Sequence, residues 1–351
     1  MQPVLVTKDR RFIEHLDRMP HLESSRRIRA TYALLEDSAL AGRFREVIPR
    51  PAVPDEIALV HSRNYIDRIA KSAGRALTSF DLDTQATEKS YETACLAVGA
   101  VCSLLDEMLA GNAKRGFAFV RPPGHHAEPE KAMGFCLFNN IAVGARYLKE
   151  TYSVKKIMIV DIDAHHGNGT QAAFYDSDDV LYVSLHQFPG FPGTGKFGDV
   201  GRGRGEGFTV NIPLGKGCSD RDIARIIYYL INPLAISYQP EIILVSCGFD
   251  LYIGDRLAGM RVTPEGYALI TFFLLNIAER VCGGRILFVM EGGYSIQGIR
   301  ECGLRVMQEL CNVPTLTPAI IERVPIANAA RLSILKKVFD VQKKYWNNLG
   351  I

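Results

Sequence analysis

The chain has 351 residues, of which 47% are apolar and 23% charged, a balance typical of a globular protein in water. Its 41 basic and 38 acidic residues leave a net charge of +3, which gives little support for binding to nucleic acid. The longest apolar stretch, residues 267–278, is too short to span a bilayer, and the first residues lack the apolar core of a signal peptide. We therefore expect a cytoplasmic protein without a membrane partner.

The cysteines indicate a reducing environment. None belongs to a CxxC pair, and several lie in apolar segments. They are Cys95, Cys102, Cys136, Cys218, Cys247, Cys282, Cys302 and Cys311. We expect them to be reduced and to behave as small buried hydrophobic residues, since a disulfide framework is uncommon in an intracellular chain of this length.

Predicted helices and strands alternate along the chain. A first helix is predicted over residues 89–110, where apolar residues recur at helical spacing before Gly111. Six apolar strands follow, over residues 116–120, 157–160, 180–185, 208–212, 241–246 and 286–290. Further helices are predicted over residues 138–149, 171–175 and 222–236, and one is predicted to begin at Thr263-Pro264. This alternation predicts an α/β fold with a parallel sheet.

No domain boundary is visible, so we expect residues 1–351 to form one domain. Residues 316–351 differ from the rest, because residues 331–349 have a basic, helical pattern and contain the only tryptophan, Trp346. We expect this tail to pack on the body of the protein rather than to bind a membrane or a partner.

Polar residues follow five of the predicted strands. In a parallel sheet, right-handed crossovers bring the carboxyl ends of the strands to one edge, where such folds bind their ligands. The polar groups are Gly124-His125-His126, Asp161 to His166, His186, Asp250 and Tyr294. Their convergence predicts one shared functional site.

The stretch Lys155 to Thr170 (KKIMIVDIDAHHGNGT) contains the clearest signal. An apolar strand runs directly into two acids and two histidines, and unpaired charge of this kind is too costly to bury. Asp161, Asp163 and His165 alternate at strand period, so their side chains point the same way. A solvated strand end with a chance cluster is the alternative, but a divalent metal accounts for the charge better.

Asp250 adds a third ligand to Asp163 and His165. Three protein ligands with an open fourth position are typical of a catalytic zinc site, and two carboxylates would cancel the charge of Zn²⁺. Asp161 is then expected to support a ligand or to bind a neighbouring ion.

Two adjacent histidines and a tyrosine complete the predicted chemistry. His125 and His126 near a metal-bound water predict a general base and an electrostatic partner. Tyr294, which follows two glycines, would donate its hydroxyl where an oxyanion forms. With a metal, these groups predict hydrolysis of a carbonyl bond, and we favour an amide.

Residues 190–196 (GFPGTGK) have the spacing of a phosphate-binding loop. The next residue is Phe197 rather than the Ser or Thr that binds magnesium, and the glycine-rich residues that follow cannot open a helix. The motif therefore gives almost no support to nucleotide binding.

Six motifs carry a resemblance to a known family. They are RPPGHHAEPEKAMGFCLFNN, DIDAHHGNGT, YVSLHQF, FPGTG, GFDLYIGD and EGGYS. Over residues 15–315 the chain resembles the zinc-dependent histone deacetylases and their bacterial relatives in the arginase–deacetylase superfamily. The resemblance implies one α/β domain with a central eight-stranded parallel sheet flanked by helices, and zinc on Asp163, His165 and Asp250. Arginases share the fold but bind two manganese ions, and the histidine pair with Tyr294 favours the mononuclear deacetylase.

The resemblance also implies roles for residues around the zinc. His126 would be the main general base and acid, with His125 as its electrostatic partner oriented by Asp161, and Tyr294 would polarise the acyl carbonyl. Asn168 also belongs to the implied catalytic set, at a position where one branch of the family has aspartate and class II-like members have asparagine. The residues implied to bind substrate in the acyl-lysine channel and at its rim are Phe135, Phe191, Gly134, Asp83 and Leu257.

Monovalent cations, K⁺ or Na⁺, are implied beside the zinc. One site would use Asp161, Asp163, His165, Ser184 and Leu185. A second, weaker match would use Phe174, Ser177 and Val180.

The leading function is removal of acyl groups from Nε-acyl-lysine in proteins or peptides. An acetylpolyamine amidohydrolase is the closest alternative, and its polycationic substrate should favour an acidic rim. The expected rim residues are Arg202, Arg204, Arg256 and Arg261, offset by Glu128, Glu130 and Asp83. This balance favours acyl-lysine. A catalytically inactive acyl-lysine-binding protein is the alternative from another class, and the acyl group preferred and the oligomeric state stay open.

Overall fold

A sheet of eight parallel strands runs through the protein, whose structure is a computed structural model that describes residues 2–17, 19–324, 333–347 and 349. The strands in these residues are β1 (Val4–Thr7), β2 (Phe44–Val47), β3 (Thr78–Ser79), β4 (Gln85–Ala86), β5 (Arg115–Ala118), β6 (Ile157–Asp161), β7 (Val180–Gln187), β8 (Thr209–Leu214), β9 (Ile242–Cys247) and β10 (Ile286–Met290). The sheet order is β2-β1-β5-β10-β9-β6-β7-β8, and β3 and β4 form a separate antiparallel hairpin. The predicted α/β fold with an eight-stranded parallel sheet is therefore confirmed.

Helices connect the strands. They are α1 (Ser25–Leu34), α2 (Pro54–Ile57), α3 (Arg63–Ala70), α4 (Ser90–Leu109), α5 (Asn140–Tyr152), α6 (Asn168–Phe174), α7 (Asp220–Ile226), α8 (Asn232–Tyr238), α9 (Pro264–Cys282), α10 (Ile296–Leu310), α11 (Pro318–Glu322) and α12 (Ser333–Gln342). A π-helical turn, Ile227–Ile231, joins α7 to α8 and interrupts the single helix predicted over residues 222–236. Helix α9 begins as predicted, because the Thr263 side chain accepts a hydrogen bond from the Gly266 N–H and Pro264 needs no donor.

The middle strands are buried on both faces. Every residue of β6, β9 and β10 is buried, and their Ile, Leu and Val side chains belong to one core with α4, α5 and α9. Each such aliphatic side chain contributes roughly 1.5–3 kcal/mol by leaving water. A rigid central sheet of this kind can hold polar side chains at its carboxyl edge in fixed positions.

The two outer strands of the sheet differ. Strand β2 is at one edge with an exposed Arg45 and Glu46, charges that discourage pairing with another chain. At the other edge, α12 packs beside β8, where Gln342 donates to the Thr209 carbonyl and Trp346 Nε1 donates to the Gly207 carbonyl at 3.0 Å.

The predicted tail helix over residues 331–349 is shorter in the structure, where α12 covers Ser333–Gln342. Residues 331, 332 and 348 lie outside the described residues. In the part of the chain that is described, none of the helices combines the length and apolar character needed to cross a membrane. All eight cysteines are unpaired, and seven of them are buried.

Candidate active site

Three candidate metal ligands meet where β6 and β9 end. Asp163 and His165 follow β6, and Asp250 follows the neighbouring strand β9. His165 Nδ1 lies 3.1 Å from Asp163 Oδ1 and 3.0 Å from Asp250 Oδ2, and one ligand atom of each residue lies within 4.8 Å of the others. The register that pairs Asp161 with Ser246 brings the two strand ends to the same level.

The donor set fits a divalent ion such as zinc. A tetrahedral centre with bonds of about 2.0–2.1 Å separates its ligand atoms by roughly 3.3 Å, close to the separations between His165 and the two carboxylates. Asp163 and Asp250 are fully buried, and among the described residues neither forms an ion pair with lysine or arginine. Burial and the neighbouring Asp163 raise the pKa of Asp250 to about 7. A bound cation would relieve this repulsion.

Backbone groups fix the two carboxylates. Asp163 Oδ2 accepts the Gly292 N–H at 2.7 Å, and Asp250 Oδ1 accepts the Ala164 N–H at 2.8 Å. A Cβ on Gly248 would overlap the Asp163 carboxylate, so the chain needs glycine at this close approach. The protein itself therefore holds the two carboxylates in place.

His125 is paired with a buried carboxylate. Its Nδ1 lies 3.1 Å from Asp161 Oδ2, which also accepts the Tyr182 hydroxyl at 2.9 Å. Burial disfavours the imidazolium, but Asp163 and Asp161 outweigh it and raise the pKa of His125 to about 10. The surroundings of His125 therefore favour its charged form.

His126 is placed differently, although its ring is only 4.0 Å from that of His125. Its Nδ1 lies 2.9 Å from Asn168 Oδ1, which leaves Nε2 as the nitrogen available to a substrate. Burial, together with His125 and His165, lowers the pKa of His126 well below its usual value. The surroundings of His126 therefore favour its neutral form, which is the form that a general base has before the reaction.

Tyr294 follows β10 and is held on several sides. The Arg27 guanidinium stacks over its ring at 5.2 Å, and the Phe135 ring meets it edge-on at 5.7 Å. Its backbone N–H donates to Asp255 Oδ2 at 2.6 Å. Burial raises the pKa of Tyr294 well above its usual value, so the hydroxyl stays protonated and can donate a hydrogen bond.

A channel of about 250 Å³ connects the surface to these groups. The lining residues are Leu22, Asp83, His126, Gly134, Phe135, His165, Phe191, Leu257 and Tyr294. The structure thus brings together all five residues that the resemblance implied for substrate binding, and their role stays a prediction. Gly134 has a φ of +56°, and a Cβ there would overlap the His126 ring, so the wall requires glycine at this point.

The charged residues expected at the rim lie mostly outside the channel lining. Arg202 pairs with both carboxylate oxygens of Asp176 at 2.5 and 2.7 Å, and Arg204 lies 3.8 Å from Asp178. None of the four arginines expected at the rim, Arg202, Arg204, Arg256 and Arg261, lines the channel, so the lining gives no support to a basic rim, which stays a prediction. Among the described residues that line it, Asp83 is the one carboxylate outside the ligand triad.

Sequence reasoning missed a buried ion cluster beside the channel. Glu23 accepts hydrogen bonds from Arg121 at 2.6 and 2.7 Å and from Arg27 at 2.8 Å. Arg27 also donates to the Gly293 carbonyl at 2.6 Å and to the Glu291 carbonyl, next to the channel tyrosine. The one available signal was the i, i+4 spacing of Glu23 and Arg27, which is common on solvated helices. Leu22 of the channel lining was missed as well.

The residues predicted to bind monovalent cations lie in two places. Asp161 and Ser184 are register partners in β6 and β7. The second set spans the turn between α6 and β7, where the Ser177 N–H donates to the Phe174 carbonyl at 2.9 Å and Val180 opens β7. Binding of a cation at either place stays a prediction.

Comparison with known proteins decides the family. A family model for the histone deacetylase domain matches residues 21–310. The chain belongs to the histone deacetylase family. The fold of this histone deacetylase family member is similar to the crystal structure of the HDA15 HD domain, with a TM-score of 0.90 and 35% sequence identity over 99% of this chain and 96% of that one.

Relatives of this family member come from plants, bacteria and animals. It is 39% identical to "Histone deacetylase 10, chloroplastic" of Oryza sativa subsp. japonica, over 84% of this chain and 71% of the relative. It is 38% identical to "Histone deacetylase-like amidohydrolase" of Pseudomonas aeruginosa, over 84% and 77%. It is 34% identical to "Polyamine deacetylase HDAC10" of Danio rerio, over 93% of this chain but 49% of that protein.

Proposed function

We propose that this chain is a zinc-dependent hydrolase that removes acetyl or related acyl groups from Nε-acyl-lysine in proteins or peptides. The observation that carries the proposal is one channel that ends at the ligand triad with His126 and Tyr294 beside it. Asp163, His165 and Asp250 would hold the zinc ion. When bound, zinc would act as a Lewis acid that polarises the acyl carbonyl and lowers the pKa of water.

The side chains around the triad have separate roles in proton transfer and in charge stabilisation. His126 Nε2 takes a proton from the attacking water and returns it to the leaving amine. His125, whose Nδ1 lies 3.1 Å from Asp161 Oδ2, acts as the electrostatic partner of His126. The Tyr294 hydroxyl donates to the acyl oxygen, where negative charge develops in the transition state.

The shape of the channel supports an acyl-lysine substrate. Two aromatic rings stand near its inner end, Phe191 at 5.0 Å from His126 and Phe135 at 5.7 Å from Tyr294. A narrow apolar passage suits the four methylene groups of a lysine side chain, which is uncharged once acylated. Leu257 and Leu22 extend the apolar lining.

An acetylpolyamine amidohydrolase is the second candidate. A relative named as a polyamine deacetylase favours it, and so does the carboxylate of Asp83 in the lining, which could attract a cationic amine. The apolar Leu22 and Leu257 favour acyl-lysine. An inactive acyl-lysine-binding protein would have no need of the His126 and Tyr294 arrangement.

Turnover by the purified, zinc-loaded protein tests the proposal. The substrates are peptides with acetyl-lysine or longer acyl-lysines, together with acetylated spermidine and putrescine. We expect hydrolysis of acyl-lysine peptides with a kcat/KM above that for the polyamines, and no turnover by the His126→Ala variant. A higher kcat/KM for the acetylated polyamines would make them, rather than acyl-lysine peptides, the substrate class. Binding of peptides without hydrolysis would overturn the proposal that the protein is an enzyme.

Three further expectations belong with this function. We propose that residues 1–351 act as one deacetylase domain, with the motifs in about residues 15–315 and a packed tail over residues 316–351. We also propose a K⁺ or Na⁺ ion beside the zinc site. A cytoplasmic location stays an expectation from the sequence.

A further inference from the structure

The amide of Asn168 controls which nitrogen of His126 carries a proton. An asparagine side chain has one accepting end and one donating end, and it can present either to a neighbour. If Asn168 Oδ1 faces His126 Nδ1, then Nδ1 carries the proton and Nε2 has a free lone pair. If the NH₂ group faces Nδ1 instead, Nε2 carries the proton and cannot accept another. One amide flip therefore removes the proposed general base.

Glu128 decides which end of the amide faces His126. Asn168 Nδ2 lies 2.8 Å from Glu128 Oε1. A carboxylate accepts hydrogen bonds, so the donating NH₂ end must face Glu128. The carbonyl end is then left for His126, 2.9 Å away. The NH₂ group has other acceptors nearby, but the His126 carbonyl is at 3.4 Å and Met133 Sδ at 3.3 Å, and both are weaker partners than a carboxylate.

The backbone of Glu128 is itself fixed. Its N–H donates to the Lys131 carbonyl at 2.9 Å, and the Lys131 N–H donates back at 3.3 Å. Its carbonyl lies 3.1 Å from His61 Nδ1, while His61 Nε2 accepts the Asn139 N–H at 2.9 Å. The second contact requires His61 to carry its proton on Nδ1, which donates to Glu128. The carboxylate therefore projects from a rigid turn.

We propose that Glu128 is a positioning residue that locks the Asn168 amide and so keeps His126 Nε2 free to take a proton. The inference rests on the proposed role of His126 as general base. It gives Glu128 a function in the interior of the site, whereas the sequence placed this residue at the rim. The channel lining does not include Glu128, which agrees with an indirect role.

Steady-state kinetics provide the first test. Glu128→Ala should lower kcat by about 10–100-fold, the usual cost of removing a partner that orients a catalytic group, while KM changes little. Glu130→Ala is the matched control and should leave kcat unchanged, because Glu130 is an exposed carboxylate of the same turn that lies outside the channel lining and does not hydrogen-bond to Asn168. A Glu128→Ala variant with a kcat within about twofold of the wild type would overturn the proposal.

A spectroscopic test separates this inference from the proposed function. Nitrogen NMR of protein with ¹⁵N-labelled histidine reports which ring nitrogen is protonated, and eight histidines are few enough to assign with single variants. In the wild type, His126 should be protonated on Nδ1. In Glu128→Ala it should show a mixture of both tautomers. An unchanged His126 tautomer in Glu128→Ala would overturn the inference even if the protein is an active deacetylase. The change of tautomer can also be measured if the protein has no deacetylase activity, so the two proposals are tested separately.

A double substitution distinguishes positioning from a general structural effect. In the Asn168→Asp variant, both oxygens of the new carboxylate accept hydrogen bonds, so either one can face His126 Nδ1. Glu128 then has no amide to orient and is a like charge beside the new carboxylate. Glu128→Ala should then leave kcat unchanged or raise it, in contrast to its effect beside Asn168. A loss of the same size in both backgrounds would mean that Glu128 only supports the fold, and the proposal would be wrong.

Discussion

Replacing Tyr294 with phenylalanine tests the proposed oxyanion donor. The contacts that hold the ring, from Arg27 at 5.2 Å and Phe135 at 5.7 Å, do not involve the hydroxyl. The hydrogen bond of its N–H to Asp255 belongs to the backbone and is also retained. Tyr294→Phe should therefore leave metal binding and the thermal unfolding midpoint almost unchanged, since only a hydrogen-bond donor is lost.

The expected effect on catalysis is large. Loss of one oxyanion donor typically costs about 10²–10³-fold in kcat, or roughly 3–4 kcal/mol in the transition state. KM should change much less, because the hydroxyl matters most after negative charge has formed on the acyl oxygen. Since the pKa of Tyr294 lies well above its usual value, the loss should be the same across pH 6–9.

The assay is hydrolysis of an acetyl-lysine peptide, with a trifluoroacetyl-lysine peptide in parallel. The activated carbonyl of the second substrate needs less polarisation and should be spared part of the loss. Tyr32→Phe is the control, because Tyr32 lies on α1 and its hydroxyl donates to the Asp9 carbonyl at 2.6 Å. Loss of that hydroxyl should lower the free energy of unfolding by about 1 kcal/mol without affecting kcat. A Tyr294→Phe enzyme with a near wild-type rate would show that another group donates to the oxyanion.

Other substitutions test the metal, acid stability and the channel. Asp250→Ala should lose stoichiometric zinc and activity together, measured by metal analysis, and full zinc content would remove Asp250 from the ligand set. Burial lowers the pKa of His61 to about 4, below the value of about 6.5 in the unfolded chain. The free energy that neutral His61 contributes to folding is therefore complete above pH 6.5, and roughly 3 kcal/mol of it is lost as the pH falls towards 4. In urea unfolding, the free energy of unfolding of a His61→Gln variant should decline less steeply over that pH range. Asp83→Asn should raise KM for acetylated polyamines by about fivefold and for acyl-lysine peptides less, and equal effects would argue against charge attraction. Asn168→Asp should raise the pKa of His126 by stabilising the imidazolium, so the acidic limb of the pH–rate profile should move upward, and an unchanged limb would exclude His126 as the titrating base.

Strands buried on both faces were the best predicted elements. The strand predicted over residues 286–290 coincides with β10, and the one over residues 157–160 ends one residue before β6 does. Continuous apolar runs of about five residues that contain Ile and Val are typical of parallel strands buried on both faces. Strands β1 and β2 were missed, and β2 contains exposed charge that conceals its strand pattern. Their place in the sheet comes from pairing, which a local pattern does not contain.

The residues of the candidate site also differ in how well the sequence predicted their positions. Asp163, His165 and Asp250 lie within four residues of a strand end, so strand prediction and chemistry together located them. The pairing of Glu23 with Arg121 spans 98 residues and depends on how the chain before α1 folds back over the sheet. The orientation of Asn168 by a carboxylate was missed for a similar reason, since it depends on side-chain geometry across 40 residues.

The long-range contact between Arg27 and the Gly293 carbonyl has a consequence for synthesis of the protein. The two residues are 266 positions apart, and β1 reaches its place in the sheet only beside β5, which in turn pairs with β10. At a translation rate of about 5–20 residues per second, the first helix waits roughly 15–50 s for its partner to be made. Contacts of such high sequence separation slow folding and leave apolar strands exposed meanwhile. The proposed active site can therefore form only after the chain has been translated as far as Gly293, and the apolar strands made earlier stay unpaired on one side until then.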